Sequence, residues 1–190
     1  PMDESVSESA EKDDTAWSTL TDMAKKGFLM FDNAQDIRNF LGRDPLLSKM
    51  HVIAKIFHDW VNKRIILDMK KSGVSGASCK TERVFLPRVL GVVWDTMDLL
   101  SLRDNPDDGV EFVVIDFADA FWHIPLLPEE RIFFVAKLRG KFFLFLRAAQ
   151  GSRGAPLLWG RTAALISRLA QSTCDPSEAR LSTYVDDPLM

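Results

Sequence analysis

Three carboxylates stand where this chain's chemistry is easiest to read. Asp116 closes the apolar run Val113-Val114-Ile115, and Asp186-Asp187 follow Tyr184-Val185 about seventy positions later. A short run of β-branched or aromatic residues reads as a strand, and an acid at its end is delivered to the strand's exposed tip. Two such strands side by side would make a metal site. Asp116 and Asp186, with Asp187 close by, would hold two Mg²⁺ ions roughly 3.5 to 4 Å apart, with Mn²⁺ as a substitute, the arrangement used in phosphoryl and nucleotidyl transfer. Taken alone, Asp186-Asp187 also reads as a surface turn, where paired Asp residues are common.

The flanking residues narrow that choice. Ile115-Asp116-Phe117-Ala118-Asp119-Ala120-Phe121-Trp122-His123-Ile124-Pro125-Leu126 resembles the first catalytic motif of retroelement reverse transcriptases. Gln150-Gly151-Ser152-Arg153-Gly154-Ala155-Pro156 resembles the motif that comes after it in that family, and Tyr184-Val185-Asp186-Asp187 resembles the Tyr-x-Asp-Asp box. Each motif alone is a weak pattern; three in the family's order are specific. The resemblance spans residues 48 to 190 and implies an α+β chain of fingers and palm, with a mainly antiparallel sheet packed on helices.

It also implies roles. Asp116, Asp186 and Asp187 would be the catalytic, metal-holding acids, and Arg64, in Arg-x-x-x-Asp with Asp68, would bind the triphosphate. A planar guanidinium takes two phosphate oxygens at once. Lys55 matches the family's second phosphate-binding cation, with a solvated strand Lys as the plain alternative. Phe121 would lie under the sugar and select deoxynucleotides, or else be an ordinary core aromatic. Gln150 and Gly151 would approach the nucleotide and template base, and Tyr184 would support the turn and contact the primer end. Asp119 reads first as a cap of the following turn, and Arg153 is open between a phosphate contact and a solvated loop residue. The implied partners are an RNA or DNA template with its primer and deoxynucleoside triphosphates.

The elements that must position these residues come from periodicity. Residues 1–14 hold six acids and one Lys and read as a disordered acidic leader. Residues 15–47 read as a helical segment of two short helices, capped at Thr15 and Asn33, with no chemistry visible. Residues 48–57 and 63–69 read as a hairpin, 72–78 as a loop without the ending of a phosphate-binding P-loop, and 88–102 as a helix burying Val89, Val92, Val93, Thr96, Met97 and Leu100. Val110 to Asp116 reads as a strand in a covered sheet. A second hairpin turns at Arg139-Gly140, Pro156 opens a long helix with Leu157, Leu158, Ala164, Leu165, Ile166 and Leu169 at helical spacing, and Ala179 to Val185 is the strand before the acid turn.

Composition sets the bounds. With 190 residues, 46% of them hydrophobic, the chain can bury a core. No run of eighteen apolar residues or charged leader argues for a membrane partner or secretion. Cys79 and Cys174 lie in unrelated contexts, so neither a disulfide framework nor a zinc site is indicated, and a reducing intracellular compartment is expected, cytoplasm and nucleus both open. Net charge is −3, of which residues 1–14 carry −5, leaving a weakly basic body of +2. That suffices for a phosphate groove only if the cations gather in one place.

Both ends read as arbitrary, so the expectation is a partial polymerase domain lacking the thumb and whatever RNase H or integrase region accompanies it, and extending primers poorly by itself. Pro188 departs from the pattern, since Pro removes one ladder donor from the returning strand. Two other readings stay open: a non-catalytic nucleic-acid-binding remnant, and a palm-type two-metal enzyme such as a nucleotidyl cyclase that needs no template.

Overall fold

The computed structural model describes residues 6–57, 60–79, 82, 85–105, 107–185 and 187–190; the side chains of 6–12, 54–57 and 60–62 lie outside that description. The chain forms two compact units, Pro1–Cys79 with Phe121–Ala155, and Lys80–Ala120 with Pro156–Met190.

The first unit begins with α1, Val6–Lys25, a helix that starts earlier than the sequence placed it. Thr15 is therefore interior. Gly27, at φ 74°, ends it: Phe28 N–H reaches Met23 O at 3.1 Å and Gly27 N–H reaches Ala24 O, closing the last turn. The chain then enters β1, Leu29–Asp32, a strand that the helical reading of 15–47 missed. Next, α2 spans Ala34–Leu41, capped by the Asn33 side chain on Asp36 N–H and closed by left-handed Gly42.

The expected first hairpin forms as β2, Lys49–Phe57, and β3, Trp60–Asp68, antiparallel in a register that pairs Ile53 with Arg64 and Lys49 with Asp68. Strand alternation explains its faces. Ile65, Leu67 and Met69 are buried, so Arg64, Ile66 and Asp68 share the other side. A turn of helix, α3 (Val74–Ala77), occupies the expected loop.

The second hairpin also forms: β4, Val135–Leu138, and β5, Lys141–Phe145, joined through Arg139 and Gly140 at φ 48° and 74°, the left-handed pair that suits a tight hairpin. β5 is the centre of the sheet β1-β5-β4. Its Phe143 and Phe145 join Leu20, Met23, Leu29, Trp122 and Ala136, among others, in one core cluster. Trp17 and Phe31 contact the Phe143 ring from the α1 and β1 sides.

In the second unit α4, Val89–Ser101, forms where expected but buries Leu99, not the predicted face. Val89, Val93, Met97 and Leu100 are exposed. Helical spacing identifies a stripe that a partner surface could cover; it does not supply the surface. Residues 110–116 depart in the same way. They form an extended segment joined by an isolated bridge, and Phe112, Val113, Val114 and Ile115 are more than half exposed, so no covered sheet encloses them.

The long helix is α5, Ala155–Gln171, followed by β6, Ser182–Tyr184, and β7, Asp187–Leu189. Its buried residues are Ala155, Trp159 and Ala163, whereas Leu158, Leu165, Ile166 and Leu169 are exposed. β6 is shorter than the predicted 179–185. Asp187 opens β7, so it lies in the returning strand instead of the turn. Among the described residues no helix is long and apolar enough to cross a membrane.

Candidate metal and nucleotide site

The acid-bearing hairpin is held in place by one face of α5. Residues four apart on a helix lie in a row, and the row Trp159, Ala163, Ser167, Gln171 runs beside the chain that returns through 179–185. Trp159 Nε1–H donates to Val185 O at 2.8 Å, and the Ser167 and Thr183 hydroxyls share a hydrogen bond. Gln171 reads the backbone at the far end, donating to Ala179 O at 3.0 Å and accepting from Leu181 N–H at 2.7 Å. The helix thus fixes this strand's position along its length.

β6 and β7 pair antiparallel, Ser182 with Leu189, Thr183 with Pro188 and Tyr184 with Asp187. The segment bearing Asp116 adds to the far edge of β7. Val113 and Met190 exchange two backbone hydrogen bonds at 2.7 and 2.9 Å, Val114 bridges Leu189, and Ile115 N–H donates to Pro188 O at 2.9 Å. Carried one residue further, this register sets Asp116 across from Asp187. Pro188 loses its own donor yet keeps its carbonyl in the ladder.

Asp116 and Asp187 are exposed, and neither side chain makes a hydrogen bond or ion pair with another described residue. Like charges across an antiparallel pair repel, and a divalent cation bound by carboxylate oxygens relieves that repulsion, so the donor set fits Mg²⁺. Asp186, expected as the second metal ligand, lies outside the described residues. No cluster of three potential ligands occurs among those described. The acids stand on open surface. Two cavities flank the hairpin, about 350 Å³ lined by Leu99, Val113, Arg180 and Leu189, and about 640 Å³ lined by Phe85, Arg161, Thr183 and Val185, and neither includes Asp116 or Asp187. Tyr184 is 55% exposed beside the turn.

The other candidate residues belong to the first unit. Arg64 is exposed on β3 with no ion pair to a described residue, while Asp68, four positions on, accepts from Lys71 N–H at 2.9 Å and lies 3.7 Å from His51 Nε2. The Lys71 backbone bond, aided by His51, holds the Asp68 carboxyl below its ordinary value. The side chain of Lys55 lies outside the described residues. Gln150 and Gly151 dock on β3: Leu67 N–H donates to Gln150 O at 3.0 Å. Gly151 has φ 100°, and a Cβ there would lie 2.2 Å from Leu67 O, so no other residue fits. The close backbone approach expected of this glycine is made to β3. Phe121 is half-buried, packed against the core of the first unit. Asp119 has φ 58°. Arg153 donates to the carbonyls of Ser75 and Ser78 at 3.3 Å, a loop-fastening arrangement.

Sequence reasoning missed Trp159, the ring contact of Phe117 and the left-handed Val185. Trp159 lies amid leucines that look like the better core candidates. Its signal was the four-residue spacing Ala155, Trp159, Ala163, Ser167, which apolar counting ignores because two members are small and one is polar.

No protein-family model and no curated protein matches the chain. Among solved structures it is similar to the native protease-reverse transcriptase of prototype foamy virus, with TM-score 0.54 and 19% identity over 90% of this chain and 18% of that one. It is also similar to a foamy viral protease-reverse transcriptase dRH in complex with double-stranded DNA, with TM-score 0.55 and 18% identity over 89% of this chain and 24% of that one. The chain therefore spans less than a quarter of these proteins' length. The likeness is one of fold: helices and antiparallel sheet arranged as in part of a reverse transcriptase.

Proposed function

We propose that this chain carries the metal- and nucleotide-binding part of a template-directed DNA polymerase of retroelement reverse-transcriptase type. The observation that carries the reading is the ladder from Val113–Met190 to Ile115–Pro188, whose register, extended by one residue, would set Asp116 across from Asp187. Asp116, Asp186 and Asp187 would hold two divalent cations. The chemistry that Mg²⁺, or Mn²⁺ in its place, would supply there is acidification of a primer 3′-hydroxyl and neutralisation of charge on a leaving pyrophosphate.

The protein's own groups do the rest. Arg64, which has no ion pair to a described residue, would offer its guanidinium to a deoxynucleoside triphosphate, with Lys55 as a second cation. Gly151 lets the Gln150 backbone rest on β3, and the Gln150 amide would meet the nucleotide from there. Phe121 serves as the floor beneath the sugar, and Tyr184 steadies the primer end. The partner is an RNA or DNA template with its primer, gripped through phosphates, so binding weakens as salt rises.

Templated nucleotide incorporation and Mn²⁺ binding by electron paramagnetic resonance test this together. Asp116→Asn should weaken Mn²⁺ binding and lower incorporation by about 100-fold or more, the scale on which a group stabilising developing charge acts. Incorporation indifferent to Asp116→Asn sinks the assignment. Duplex binding that ignores both Mg²⁺ and this substitution points to a non-catalytic nucleic-acid-binding module, and nucleotide turnover without primer to a cyclase-like enzyme.

A further inference from the structure

We infer that Trp159 is the positioning residue of the acid-bearing turn, coupling the Asp116 segment to the 184–187 hairpin through one buried indole. The inference rests on the metal-site reading and deepens it.

Val185 is the starting point. Its φ is 59°, in the left-handed region, where a β-branched residue is a genuine outlier. Such strain persists only where surrounding structure imposes it. The structure shows what does so: Val185 O accepts from Trp159 Nε1–H at 2.8 Å, and Trp159 is 2% exposed. An indole N–H is a single donor with no acceptor capacity. Were Val185 to relax to a favoured φ, its carbonyl would swing away and leave a buried donor unsatisfied, a costly state. The strain and the hydrogen bond therefore hold each other.

The same ring also touches the other acid's segment. Phe117, the residue after Asp116, meets Trp159 edge-on, with ring centroids 5.2 Å apart and planes at 77°. Val185 is the residue before Asp186. One indole thus fastens the immediate neighbours of both acids by two different contacts. The backbone ladder fixes which residues stand across from one another; the indole fixes the turn beyond the ladder's last pair, where the ladder no longer acts. A tryptophan retained only for packing would need its ring and no bond.

The experiment separates ring from bond in the full chain. Trp159→Phe keeps an aromatic ring against Phe117 and removes the donor. It should weaken Mn²⁺ binding about tenfold, the lower end of what losing a partner of the metal ligands costs. Adding Val185→Asn, a residue that accepts the left-handed region, should return the affinity to within about threefold of wild type, because the turn no longer needs the pin. Loss of packing would not be rescued from the turn. Phe117→Leu supplies a second variant: it should weaken Mn²⁺ binding about threefold, less than loss of the donor, while leaving the indole bond intact.

A metal-free readout keeps the two proposals apart. The Trp159 indole proton, assigned by its disappearance in Trp159→Phe, should exchange slowly in wild type and rapidly once the chain is unfolded. Wild-type binding of Mn²⁺ with Trp159→Phe and Phe117→Leu both unchanged overturns the inference and leaves the metal site standing. A slowly exchanging indole in a protein that binds no Mn²⁺ overturns the metal site and leaves the clamp of the turn. A freely exchanging indole overturns the clamp in either case.

Discussion

The two units of this chain solve the burial problem to different degrees. In the first, β5 is paired on both edges and Phe143, Leu144 and Phe145 are all fully buried. In the second, the buried large side chains among the described residues are Leu99 and Trp159, while Val113, Val114 and Ile115 stand more than half exposed beside the acids. Packed apolar surface stabilises by about 25 cal/mol per Å², and exposed apolar surface contributes nothing of the kind. The first unit is therefore a finished core. The second depends on a few specific bonds, the Trp159 indole, the Ser167–Thr183 pair and the Gln171 amide, to position its acids.

The largest expected effect tests that contrast directly. Phe143→Ala should cost about 3 to 5 kcal/mol, the usual range for emptying a fully buried phenylalanine site. Ile115→Ala, at a site 55% exposed, should change stability by about 1 kcal/mol or less. Urea unfolding of both variants measures the pair. Comparable losses would mean that the Ile115 side chain is covered in solution and that the second unit packs as tightly as the first.

A smaller effect probes a single backbone contact inside the first unit. Gly151→Ala places a methyl 2.2 Å from Leu67 O at φ 100°, so β3 and the Gln150 loop must separate. The backbone strain alone is of order 1 to 3 kcal/mol. Gly76→Ala is the control. It has nothing within 4 Å of the added Cβ and no left-handed φ, so it should be neutral or slightly stabilising. A Gly151→Ala protein as stable as the control would show that the loop does not rest on Leu67 in solution.

What the sequence disclosed and what it hid divide along physical lines. Local rules served well where a residue's own chemistry decides: Asn33 caps α2, the apolar run through Ile65 and Leu67 makes β3, and Arg139-Gly140 turns a hairpin. They failed where a partner decides. Leu29–Asp32 is a strand because β5 offers it an edge, and nothing within 15–47 announces that edge. Phe112–Ile115 and the exposed leucines of α5 are apolar without being covered, since composition states what can be buried and not what arrives to bury it. The same holds at the site. Motif order suggested that Asp116 and Asp186-Asp187 act together, but the register that sets Asp116 against Asp187 comes from bonds between residues more than seventy positions apart. Trp159 stayed hidden because its importance lies in one N–H and the carbonyl of a strained turn.

The smallest effect compares single carboxyls. Asp68, on the first unit's hairpin, is fastened, whereas Asp116 and Asp187 have no described partner. Lys71 N–H donates to Asp68, and His51 adds charge attraction. Both favour the ionised form, so the folded-state value lies below the ordinary 3.8. A folded value depressed below the unfolded one contributes stability that is fully present above pH 3.8 and is lost as pH falls through the folded value. Asp68 is well solvated, so the contribution is slight and a site-resolved readout is needed. Carbon-detected NMR titration of the Asp68 carboxyl should give a midpoint below 3.8. His51→Ala should raise it part of the way and Lys71→Pro, which removes the backbone donor, further. A wild-type midpoint at or above 3.8, or a larger response to His51→Ala than to Lys71→Pro, would show that the Lys71 bond is not what fastens this carboxyl.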